Sequence, residues 1–146
     1  MLLGHLAISA LLHRYLDVDL GASIAGGIAP DIVDKTLCQI LHITPSGRMY
    51  AHTALGVGLS TAVVWAVRGR RSALGWMAGY AAHLAADAGG SVPWMYPFVR
   101  YDFGGGATSL EDILRRYVDR PLFVALETML LLWAGFALLS WQPTAR

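Results

Sequence analysis

Between Pro121 and Trp141 only Glu127 carries a charge. A stretch of this length meets the need for about 20 apolar residues in a helix that crosses the hydrocarbon core. A bilayer offers no water to backbone groups, so only helices or closed barrels cross it. The rest of the chain agrees with a membrane setting: 55% of its 146 residues are apolar and 14% are charged, against about 25% charge in a soluble domain. Mean hydropathy is +0.49. The chain is therefore expected to be all-α, one integral membrane domain over residues 1–146, folded as a small polytopic transmembrane helical bundle. A net charge of +1 gives no sign of nucleic-acid binding. The single cysteine, Cys38, has no partner for a disulfide or a thiolate metal site. The start, Met1 to His5, lacks the basic region of a cleaved signal peptide.

Four more segments precede the last one. Leu2 to Leu16 is apolar, with His5, Ser9 and His13 on one helical stripe. Leu20 to Ile28 is small and rich in Gly and Ala, and is expected to end at Pro30. Both are too short to span upright, so they read as half-spanning helices. Residues 31 to 48 read as a connecting loop, with or without one short helix in it. Arg48 to Val67 and Ser72 to Ala88 read as two further helices, joined by the basic turn Arg68-Gly69-Arg70-Arg71. Gly75 and Gly79 form a GxxxG pattern that suits close helix contact. After Gly104 to Gly106, Leu110, Ile113, Leu114, Tyr117 and Val118 give an apolar stripe opposite Arg115, Arg116 and Arg120. That pattern suits an amphipathic helix lying on the membrane surface over residues 107–120.

Ionisable groups at membrane depth are costly and usually mark a functional site. His52, His83 and Asp87 stand out for this reason. If the two helices fold back about the basic turn, His52 and Asp87 are equally far from its middle. His83 is one turn nearer. All three then lie at one height, about 25 Å from the basic end. Histidine nitrogen and carboxylate oxygen are ligands for zinc and similar ions, and a mixed His/Asp set also suits manganese or iron. Asp31 joins the set from the loop after Pro30, unless it is only a helix cap. Asp34 is a candidate for chemistry beside the metal, or a local ion pair with Lys35. Arg48 either snorkels to the interface or holds a phosphate. Glu127 is a candidate for proton relay or for supporting the site, or else pairs with an arginine.

In order along the chain stand Gly4-His5, Gly27 to Lys35 (GIAPDIVDK), Gly47 to Thr53 (GRMYAHT), Gly79 to Asp87 (GYAAHLAAD) and Val92 to Phe98 (VPWMYPF). As an ordered set they resemble a family of bacterial and archaeal inner-membrane metal-dependent hydrolases. The resemblance implies an inner-membrane location and metal-site roles for His5, Asp31, His52, His83 and Asp87. Many members carry His-Arg where this chain has Gly47-Arg48.

The expectation is a hydrolase in which metal-activated water attacks an ester or phosphoester of a lipid or lipid-linked substrate, with membrane lipids as partners. The alternative is a non-catalytic membrane subunit of a larger assembly, or a homo-oligomer, holding a structural metal or polar cluster. A channel is less suited, because the polar residues gather at one end of the helices.

Overall fold

The structure, a computed structural model, describes residues 2–88, 92–103, 115 and 118–140. Among these there are helices and no strands. They are α1 (Leu2–Leu16), α2 (Leu20–Lys35) running into a π-turn (Thr36–Ile40), α3 (Ala54–Ala86) and α4 (Pro121–Leu139). The surface helix expected over 107–120 lies almost wholly outside the described residues.

The hairpin expected from the basic turn is α3 itself, folded back on itself at Gly69. There the backbone takes φ 79 and ψ 178, a conformation that L side chains rarely adopt. Across the fold the Trp76 indole N–H donates to Ser60 Oγ at 2.9 Å. In a straight helix these residues would stand about 24 Å apart. The first arm starts later than expected. Residues 48–53 wrap around Asp34 instead of joining the helix, and Thr53 caps it by accepting from Gly56 N at 2.9 Å. The arm over 54–68 therefore rises only about 22 Å. Among the described residues α4 alone is long and apolar enough to cross a membrane, with mean hydropathy 2.1.

α2 also departs from expectation. It does not stop at Pro30 but continues to Lys35, with Pro30 fully buried inside it. Proline costs a helix one backbone bond. The freed groups can be re-satisfied by neighbours, and α2 packs against both α1 and α3. The helix start is capped by Asp19, whose Oδ1 accepts from Ala22 N at 2.8 Å and whose Oδ2 accepts from Ser72 Oγ at 3.3 Å. The Ala22 bond, then Ser72 and the nearby charges of Arg68 and Arg71, hold the Asp19 carboxyl below the usual carboxylate range.

α2 and α3 meet backbone to backbone. A Cβ on Gly79 would overlap the Ser23 carbonyl oxygen, and one on Gly26 would overlap the Trp76 carbonyl oxygen. Such contact lets small-residue faces gain dispersion energy. α1 packs on α4 through Ala7, Ala10 and Leu11 against Ala134 and Ala137. Large apolar side chains face outward, among them Leu59, Val63 and Trp65 on α3 and Leu132, Trp133 and Phe136 on α4. The buried set includes His5, Asp34, His52, His83 and Glu127.

Gly79→Ala is expected to destabilise the protein by about 1–3 kcal/mol, the range for overpacking a close contact. Gly58 faces open space on α3. Gly58→Ala is expected to stabilise by about 0.4–1 kcal/mol through the unfolded chain. Thermal unfolding in one detergent, with the two variants moving in opposite directions from the parent, checks both.

Candidate metal centre

Four segments deliver the polar cluster. α1 brings His5, α2 brings Asp31 and Asp34, the loop before α3 brings His52, and the end of α3 brings His83 and Asp87. Their placement begins with Asp34. Its fully buried carboxylate accepts from four consecutive backbone N–H groups: Met49 at 2.7 Å, Tyr50 at 3.1 Å, Ala51 at 3.0 Å and His52 at 3.1 Å. It also lies 2.8 Å from His52 Nδ1. Tyr80, from the second arm of α3, clasps the same loop by donating to the Ala51 carbonyl at 2.7 Å.

These bonds fix the histidine tautomers. With Asp34 as acceptor, His52 Nδ1 carries the proton and Nε2 is left with its lone pair. His83 Nδ1 lies 2.6 Å from the Gly27 carbonyl, which can only accept, so His83 also presents a bare Nε2. The two Nε2 atoms face each other at 3.3 Å. Asp31 Oδ1 is 3.7 Å from His52 Nε2 and 3.9 Å from His83 Nε2. Asp87 Oδ2 is 3.9 Å from each. Facing lone pairs repel, and the contact is relieved either by a proton shared between the two nitrogens or by a cation held between them. Ligand atoms about 2.0–2.2 Å from one tetrahedral ion stand about 3.3–3.6 Å apart, close to the spacing seen here.

His5 adds an independent sign. Its ring stacks on His83 with centroids 3.9 Å apart. Its Nε2 is buried with no hydrogen-bond partner and lies 3.7 Å from Asp87 Oδ1. An orphaned buried nitrogen is uncommon, and a cation at the centre would satisfy it. His5, Asp31 and His83 form one ligand-spaced group; His52, His83 and Asp87 form another. The two share His83, whose Nδ1 is already committed to Gly27. They therefore belong to one centre and not two. The donor set fits a divalent transition metal.

The expected meeting of His52, His83 and Asp87 is thus present, with Asp31 and His5 beside them. Three neighbours differ from expectation. Asp34 does not pair with Lys35; Asp31 does, with Lys35 Nζ donating to its Oδ2 at 2.6 Å. This is the ordinary i,i+4 pair, hidden from a reading that ended the helix at Pro30. Asp31 is accordingly a residue within α2 and not a helix cap. Glu127 does not enter the cluster. It is buried, and its Oε1 accepts from Gly4 N at 2.6 Å, so it serves a free donor in the first turn of α1. Arg48 does border the cluster, 2.7 Å from Asp87 Oδ2. Tyr80 was not singled out as a positioning residue; its place one turn before His83 was the available signal. His13 and His42 lie elsewhere, His13 Nδ1 being 2.5 Å from the Val18 carbonyl.

A family model described as YdjM inner membrane protein matches residues 1–144. The chain belongs to this family. It is an inner-membrane protein. No curated protein and no solved structure shows significant similarity to it.

Asp34→Ala removes the acceptor from four backbone donors. At about 1–3 kcal/mol for each buried donor left unpaired, a loss of at least about 3 kcal/mol is expected. Amide hydrogen exchange should quicken at Met49 to His52 before it does in α4. Tyr80→Phe, which loses one bond, is expected to cost about 1 kcal/mol.

Proposed function

We propose that this protein is a multi-pass inner-membrane, metal-dependent hydrolase that cleaves an ester or phosphoester of a lipid or lipid-linked substrate. One observation carries the reading: two anchored histidines turn bare Nε2 atoms toward each other at 3.3 Å, with carboxylates of Asp31 and Asp87 beside them. Such a set holds zinc, and manganese or iron also suit it. A divalent ion bound there supplies Lewis acidity and brings the pKa of water down to about 7. His52 and His83 would hold the ion through Nε2, the bonds at Nδ1 fixing the tautomer and the ring orientation. Asp31 and Asp87 lend charge, and His5 is the fifth donor. Asp34 and the Gly27 carbonyl orient the two rings, a role whose loss commonly costs 10–100-fold in metal affinity. The half-exposed Arg48 sits where substrate enters. The outward apolar faces of α3 and α4 support immersion of the whole bundle beside the α4 span.

One feature favours a second reading, a structural centre in a membrane subunit. If His5 binds together with the other four donors, little room is left for water. Metal content and turnover separate the two readings. The purified wild type is expected to hold about one transition-metal ion, and His83→Ala to lose most of it. Chelation should abolish hydrolysis of ester or phosphoester lipid, and added metal should restore it. A full metal complement without turnover on any such substrate would establish the structural reading instead.

A further inference from the structure

Two cations border the cluster on its exposed side. Lys35 donates to Asp31 Oδ2 at 2.6 Å, and Arg48 lies 2.7 Å from Asp87 Oδ2. Their side chains are 37% and 36% exposed, whereas those of His52 and His83 are 0% exposed. They come from different elements, and the backbone just before Arg48 passes close to Lys35: a Cβ on Gly47 would stand 3.6 Å from Lys35 Cγ. Among the described residues, Asp31 and Asp87 are their only ionic partners.

Counter-ions for carboxylates are common, but here they oppose the very ion that the carboxylates fit. Asp31, Asp34 and Asp87 contribute −3, and Lys35 and Arg48 contribute +2. With neutral histidines the sum is −1, and a divalent ion brings it to +1. A poorly solvated centre is most stable near neutrality. While the ion's water is still protonated, one further negative charge completes the centre, and a phosphodiester carries one. A carboxylic ester carries none, and a phosphomonoester at neutral pH carries nearly two. The paired cations also supply the two kinds of phosphate donor, the guanidinium fork and the ammonium.

We propose that Lys35 and Arg48 form an anion clamp at the mouth of the metal centre, and that the substrate class is a phosphodiester. The inference rests on the hydrolase reading and narrows it. In the reaction the oxygen of water bonds to phosphorus as one P–O bond to an alcohol breaks. One water proton goes to the leaving alcohol, and the other ends on the new phosphomonoester or in solvent.

The test uses the full chain, metal-loaded, in uncharged maltoside detergent. Binding of phosphatidylglycerol in mixed micelles and of dimethyl phosphate is followed by ³¹P line broadening, and metal affinity by chelator competition. Lys35→Gln and Arg48→Gln should each weaken diester binding about tenfold, the effect of one charged hydrogen bond. Metal affinity should hold or rise, because a positive neighbour has been removed. Lys35→Arg should keep most of the binding. Diester binding equal to wild type in both glutamine variants overturns the clamp. So does a fall in metal affinity that accounts for the loss, since the cations would then only position the carboxylates. Binding of the lipid but not of dimethyl phosphate assigns the phosphate to a headgroup; equal binding assigns it to a free diester. A clamp that binds diester in a protein that hydrolyses none overturns the hydrolase reading alone. Turnover with an unchanged KM in both variants overturns the clamp alone.

Discussion

The carboxylate of Asp34 is the constraint on which the centre depends. It is fully buried, so its charge must be met by donors, and the chain bends residues 49–52 round it to supply them. That requirement explains why the segment before α3 is not helical, although its composition would allow a helix. It also explains the reach of α2. A helix that stopped at Pro30 could not carry Asp34 to this loop, nor put Asp31 one helical turn from Lys35. One buried charge thereby sets the length of α2, the start of α3 and the direction of the His52 ring.

His83 is set by a second and quite different device. Its ring hangs on a backbone carbonyl, that of Gly27, and so its position is only as good as the spacing of α2 and α3. That spacing is fixed by the absence of side chains at Gly26 and Gly79. The small-residue contact four residues before His83 is therefore part of the centre's geometry as well as of the fold. A charged hub orients one histidine and a glycine seam orients the other. The opposing pair of Nε2 atoms results only when both are in place.

Much of this was legible in residue types and spacing. The fold-back at Gly69, the level of His52, His83 and Asp87, and the use of Gly79 for close contact all follow from helix periodicity and from the cost of charge in an apolar setting. What was not legible turned on contacts across the fold. Pro30 usually ends a helix, and the packing of α1 and α3 around the buried ring, which accompanies the continuation of α2, is a contact across the fold. Asp34 next to Lys35 looks like a local ion pair, and nothing in the sequence shows that four backbone donors lie in wait for it. Glu127 in an apolar helix reads as a candidate for chemistry, because the free N–H of Gly4 is invisible until α1 and α4 are side by side. The interfacial helix over 107–120 lies outside the described residues.

The bond from Glu127 to Gly4 also ties the centre to the bilayer. Glu127 lies two turns into α4, about 9 Å from the end at Pro121. Gly4 immediately precedes His5, whose ring stacks on His83. The charged residue of the spanning helix therefore fixes the cluster's depth along that helix. About 9 Å is well short of the midplane of a hydrocarbon core about 30 Å thick. A file of polar groups crossing the whole membrane would need further members at the opposite level. Further along the same seam, among the described residues, α1 and α4 meet through Ala10, Leu11, Ala134 and Ala137, so that seam offers an ion no path. The bond from Glu127 thus sets the cluster near the Pro121 end of α4, away from that apolar seam.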